Sequence, residues 1–298
     1  MHSAQAGILQ AVPQVGRYLL FSVADATHLA SALLRLSELA DGTTMVVGLG
    51  ASAVAALGAS VPGLREFAAL SGPQQRILSA PGALWCWLRG SDQGDLVLQA
   101  RRIEQTLAGA LRLEQVIDAF RHGCGPNGHG RDLTGYEDGT ENPQGEAVPA
   151  AALALHGGPG IEGSSFVAVQ QWLHDLDAFD AMAPTEQDAS IGRRRADNEE
   201  LADAPRSAHV RRTAQESFEP EAFVLRRSMP WAMAARAGLV FVAFGKSFDA
   251  FEAQLRRMIG LEDGITDALF RFSKPLNTAY FWCPPMRGGR LDLCQLGL

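Results

Sequence analysis

The chain has 298 residues, 47% hydrophobic and 20% charged, which excludes a disordered chain and allows two ordinary domains or one large one. A formal net charge of −7 argues against a nucleic-acid partner, and Arg193-Arg194-Arg195 is a short basic exception. Nowhere do about 18 apolar residues run unbroken, no secretory signal is read at the start, and Cys86, Cys124, Cys283 and Cys294 lack CxxC spacing, as expected of a cytoplasmic protein with reduced thiols.

Residues 17–24, "RYLLFSVA", read as a short buried strand. "DATHLASALLRLSELA" then places Leu29, Leu33 and Leu36 on one helical face. Strands follow at 43–50 and 82–90, then a helix with Leu96, Ala100, Ile103, Leu107 and Leu111 on one stripe, then a strand at 113–120. The order β-α-β-β-α-β is the ferredoxin-like pattern. The second half repeats it loosely: a strand at 164–174, short helical pieces, the second opened by Pro184, and strands at 221–229 and 238–246. Ser247 caps a helix carrying Phe248, Phe251, Leu255 and Met258, and a last strand lies near "TAYFWCPP". The expected fold is α+β: two ferredoxin-like halves, 1–130 and 131–298, each a four-stranded antiparallel sheet with helices on one face.

Between the halves, residues 121–146 form a Gly-, Pro- and Asn-rich segment too long for a simple connector. Within it "GYEDGTENP" gathers Glu137, Asp138 and Glu141; by itself this is a solvated turn. His122, Cys124 and His129 lack a fourth ligand at zinc spacing. Gly48, Gly50 and Ala53 follow a strand in the manner of a dinucleotide fingerprint, yet no second parallel strand ending in an acidic residue comes after them. A glycine-rich turn is the better reading, and a nicotinamide oxidoreductase the weaker rival. His174, at a strand end, reads as a partner for a helix end. His209 stands alone in "SAHVRR": an ordinary surface histidine, or a heme axial ligand, because a porphyrin supplies the other four donors. In "VLRRSMPW" a strand would turn Arg226 and Ser228 to one face and Arg227 to the other, and an inward arginine needs an anion or a developing charge.

Taken in order, "RDLTGYEDGTENP", "SIGRRR", "SAHVRR", "VLRRSMPW" and "GLVFVAFG" resemble the dye-decolorizing peroxidases, in particular their short cytoplasmic bacterial branch. The likeness runs from about residue 5 to about residue 285. It implies heme b held mainly by the second half, with His209 as the iron ligand. It implies Asp138 as the distal acid of the GxxDG signature, Arg226 as the distal arginine and Ser228 as the small polar residue two positions on. Arg193 falls near a heme propionate, Glu221 matches a carboxylate that orients the imidazole, Gly139 lets backbone pass close to the porphyrin, and "FVAF", ending at Phe244, covers the distal side.

The implied activity is reduction of hydrogen peroxide through an oxoferryl porphyrin-radical state, followed by one-electron oxidation of dyes, phenolics or other small aromatic donors. Trp172, Trp231, Trp282, Tyr136 and Tyr280 are candidates to carry electrons by residue type, with core packing as the plainer reading. The resemblance also implies a homo-oligomer, and the tail, residues 287–298, reads either as a frayed end or as a docking segment for a shell protein of the kind that encloses some relatives. A heme-handling protein without peroxidase turnover is the alternative from the same pocket.

Overall fold

Alternating apolar runs build the frame of the protein, whose computed structural model describes residues 2–298. In the first half β1 (Val15–Val23), α1 (Leu29–Leu39), β2 (Met45–Leu49), β3 (Leu84–Gly90), α2 (Gln93–Leu107) and β4 (Leu111–Phe120) follow in the expected order. Leu29, Leu33 and Leu36 of α1 are buried, as are Leu96, Ala100, Ile103 and Leu107 of α2. Leu111, expected to extend that stripe, opens β4 instead. Gly109 takes a φ of 86° just beyond the helix, a left-handed turn that ends the helical repeat.

The second half contributes β5 (Ser165–His174), α3 (Pro184–Ile191), α4 (His209–Arg212), β6 (Leu225–Arg226), β7 (Met229–Met233), β8 (Arg236–Gly245), α5 (Asp249–Met258) and β9 (Ser273–Cys283). Residues 221–224, expected in a strand, lie outside the sheet. Gln215 takes their backbone groups instead, its carbonyl accepting from Ala222 N–H and its side chain from Val224 N–H. Pairing with β8 begins only at Leu225.

Two separate four-stranded sheets were expected, yet the strands join one nine-stranded antiparallel sheet in the order β7-β4-β1-β3-β2-β9-β5-β8-β6. An added β7–β8 pairing closes it into a ring. The halves meet at two narrow seams, Trp231 opposite Ala119 and Trp282 opposite Leu49. Closure leaves eight strands without a free edge between the halves.

Residue parity then separates two cores. Tyr18, Trp85, Trp87, Phe244 and Phe281 point into the ring and stack on one another. Their neighbours Leu19, Leu84, Cys86 and Leu88 face out and are covered by α1 and α2. The four cysteines are free thiols. β2 pairs antiparallel with both its neighbours, so the glycines at 48 and 50 do not belong to a parallel βαβ unit. Gly50 instead passes so near the Gly82 carbonyl that any Cβ would lie 1.8 Å from its oxygen.

Candidate active site

The outer face of β5 and β8 carries no sheet partner, and α4 and α5 stand over it. Trp172 lies opposite Leu239 and Gln170 opposite Phe241, so period-2 alternation brings four side chains to one wall. Phe251, Leu255 and Met258 of α5 close the far side. Between them is a cavity with about 870 Å³ of empty space, lined also by Asp138, His209 and Arg226.

His209 opens α4, and its Nδ1 lies 2.8 Å from Oδ2 of the fully buried Asp267. The other oxygen of Asp267 accepts from Leu269 N–H at 2.8 Å, capping the turn Ala268–Arg271. This second bond fixes the carboxylate, and the carboxylate fixes the ring. Nε2 of His209 has no hydrogen-bond partner among the described residues. Arg212, one turn along, is clamped to Asp263 at 2.8 and 2.9 Å and to the Arg257 carbonyl. That bidentate pair holds the Asp263 carboxyl down at about 2.

Asp138 comes from the acidic loop. Its backbone N–H donates to the Gly130 carbonyl, closing a small hairpin with residues 130–138. Burial pushes its carboxyl above the ordinary 3.8, Arg226 draws it back, and the charge of Asp132 pushes it up again. Gly139 follows at a φ of 81°, a conformation other residues resist, and a Cβ there would meet the Asn142 amide at 3.0 Å. That amide donates to the Arg226 carbonyl at 3.1 Å, while its oxygen accepts from Arg226 N–H at 2.7 Å. Asp138 and Arg226 form no direct ion pair among the described residues, and both line the cavity. Nε of Arg226 is buried without a partner.

The neighbouring carboxylates have other duties. Glu137 accepts from Asn127 N–H and from the Asn198 amide, tying three loop segments together. Glu141 pairs with Arg193.

Geometry corrects two sequence expectations, Glu221 and Phe244, and places three further residues outside the lining of this cavity. Glu221 does not reach the imidazole: residues 221–224 are outside the sheet, Glu221 is exposed, and Asp267 occupies that role. Phe244 points into the ring, against Trp85 and Trp87, because it has the opposite parity from Phe241, which does line the cavity. Arg193 is not among the lining side chains, since Glu141, Glu200 and the Asn198 carbonyl hold its guanidinium. Gly139 and Ser228 line an adjoining cavity instead, and Ser228 Oγ accepts from Val242 N–H at 3.4 Å.

All five aromatic candidates are buried, at 5% exposure or less, so none offers a surface site for electron exit. Trp172 and Tyr136 line the cavity. Asp132, His174 and Ser273 form a hydrogen-bonded chain on the same wall, with contacts of 3.0 and 2.7 Å. Burial pushes the Asp132 carboxyl up, but His174 and the hydrogen bonds from Thr134 together hold it below its ordinary value. Asp267 did carry a sequence signal: an aspartate directly before the apolar "ALF" in "GITDALF" has the form of a helix cap. Asn142 and Asp132 carried none beyond their place in a polar loop.

One carboxylate-backed imidazole with a bare Nε2, apolar walls, and a guanidinium with an unpartnered Nε make up this donor set. It fits a porphyrin iron, which needs a single protein nitrogen, and not a bare metal ion, which needs several. The site thus has the make-up of a heme pocket. The family model described as "Dyp-type peroxidase, C-terminal" matches residues 129–288. A dye-decolorizing peroxidase of Rhodococcus erythropolis is 32% identical over 254 residues, covering 82% of this chain and 73% of its own. Another, of Mycolicibacterium paratuberculosis, is 31% identical over 227 residues, covering 74% of this chain and 63% of that longer protein. A variant of DypB from Rhodococcus jostii RHA1, solved in complex with heme, is 26% identical with a TM-score of 0.79, covering 93% of this chain and 94% of its own. The chain belongs to the Dyp-type peroxidase family.

Proposed function

We propose that the chain is a heme-dependent peroxidase that reduces hydrogen peroxide and oxidises dyes, phenolics or other small aromatic donors. The observation that carries this is the shared cavity: the Asp267-backed imidazole of His209 together with the Asp138 carboxylate and the Arg226 guanidinium.

Heme bound there supplies the redox-active iron. His209 Nε2 would hold the iron, and Asp267 keeps the proton on Nδ1, raising the electron donation of the ring. Asp138, ionised, accepts the first proton of peroxide and returns it to the departing oxygen. Arg226, fixed in charge, stabilises the negative charge that develops on oxygen as the O–O bond lengthens. Leu239, Phe241 and Leu255 keep bulk water from the cavity, which strengthens both effects. Ser228 and Gly139 shape the approach to this pair from the adjoining cavity.

The halves read as ferredoxin-like domains divided near residue 130. In support, each half has the strand order fourth-first-third-second, counting β6 and β7 together as the second strand of its half. The family match also starts at residue 129.

The test is reconstitution with hemin followed by steady-state oxidation of a dye. An intense Soret band with peroxide-dependent turnover that collapses in Arg226→Leu is expected. A Soret band without turnover would favour the heme-handling alternative.

A further inference from the structure

Asp138 and Arg226 line a second cavity as well, and its chemistry differs from the first. Its empty space is about 1000 Å³, and its walls include Arg121, Arg131 and Arg227, while Asp138 is its only carboxylate among the described residues. The whole chain carries a net charge of −7, so four guanidiniums around one opening are a local reversal of sign.

None of the four is neutralised by an ion pair among the described residues. Arg121 is exposed, and its guanidinium makes no hydrogen bond among the described residues. The Arg131 guanidinium donates only to the Gly135 carbonyl, at 3.3 Å, among the described residues, and its Nε is buried without a partner, like that of Arg226. Arg227 donates to the carbonyls of Ile8, Leu9 and Arg226. Burial and the charge of Arg89 lower its pKa to about 10. Elsewhere in the molecule arginines beside carboxylates pair with them, as Arg212 does with Asp263 and Arg17 with Asp118. Unpaired, partly desolvated guanidiniums have a strong unmet preference for planar or tetrahedral oxyanions.

We propose that this cavity is a binding site for a small oxyanion, of the carboxylate or inorganic phosphate class, held by Arg121 and Arg131 at the approach to Asp138 and Arg226. An anion there occupies the opening that leads to the pair and competes with peroxide for it. The binding stands on the cavity alone; the competition rests on the peroxidase reading.

The test is calorimetric titration of the heme-loaded protein with sodium phosphate and, separately, sodium acetate. Sodium chloride at matched ionic strength is the reference, and the Soret band is recorded throughout. Saturable binding of at least one oxyanion is expected, with an unmoved Soret band and about tenfold weaker affinity in both Arg121→Glu and Arg131→Gln. Binding of phosphate alone or acetate alone assigns the class. No saturable binding, affinity unchanged in Arg121→Glu (an exposed position where folding is not at stake), or a Soret shift that puts the anion on iron overturns the site. Binding that leaves the peroxide reaction at full speed overturns the competition. Binding in a protein with no peroxide turnover keeps the site and removes the peroxidase reading; turnover without binding does the reverse.

Discussion

Asn142 closes both backbone groups of Arg226, donating to its carbonyl at 3.1 Å and accepting from its N–H at 2.7 Å across 84 positions of sequence. The loop that carries Asp138 is thereby locked to the strand that carries Arg226. One amide thus links the backbone on the acid's side directly to that of the guanidinium. Asn142→Ala removes both bonds, at a cost of about 2 kcal/mol in stability, given about 1 kcal/mol net per bond. Thermal unfolding should shift down by a few degrees. The peroxide reaction should slow although no group that touches peroxide has changed; an unaltered rate with a lowered Tm would limit Asn142 to a structural role.

Arg226→Leu and Asp138→Ala separate charge stabilisation from proton transfer. Arg226→Leu is expected to slow the stopped-flow reaction of the ferric protein with peroxide by about 10²–10³-fold, the usual cost of losing a charge-stabilising donor. Asp138→Ala should cost a smaller factor. The reverse order would make the carboxylate the principal group.

The pH dependence follows from the shift on Asp138. Burial raises its carboxyl above 3.8, so protonation disables the base at a higher pH than for a free aspartate. The rate should be full above that shifted value and fall as pH drops through it. Arg226 opposes the rise, so Arg226→Leu should move the acidic limb to still higher pH. A limb that stays in place would mean that another group sets it.

Arg212 and Asp263 anchor the helix that begins with His209. The folded carboxyl titrates at about 2, below its unfolded value, so this pair stabilises the protein above the unfolded pKa and stops doing so as pH falls through about 2. Arg212→Met should lower Tm near neutrality and loosen heme binding. Its difference from the wild type should shrink as pH falls toward 2, which melting curves across an acid series would reveal.

Much of this was legible in the sequence where a periodic signal existed. The leucines of α1 and α2, and the strands at 82–90 and 164–174, follow from repeats of 3.6 and 2. Ring closure was not legible, because it rests on two single-pair seams between distant residues. The same limit applies to the site. His209, Asp138 and Arg226 lie in recognisable motifs, but Asp267 reaches the imidazole across 58 positions and only the packing of α4 against the turn after α5 brings them together. Phe244 was misread because a strand's parity cannot be fixed until one of its two faces is known.

The Asp267–His209 bond can be probed apart from iron binding. Asp267→Asn keeps the shape but removes the charge behind the ring. About 10–100-fold loss in heme affinity or activity is expected, with a raised reduction potential. An unchanged potential would mean that the carboxylate only orients the ring.

The most direct measurement is the visible and electron-paramagnetic-resonance spectrum of His209→Gly after hemin loading, beside the wild type. The iron–imidazole bond predicts weakened heme retention, a shifted Soret band and a changed ferric signal, with recovery on adding free imidazole. Heme held as tightly as before, with the same band and the same ligand field, would contradict the account at its base.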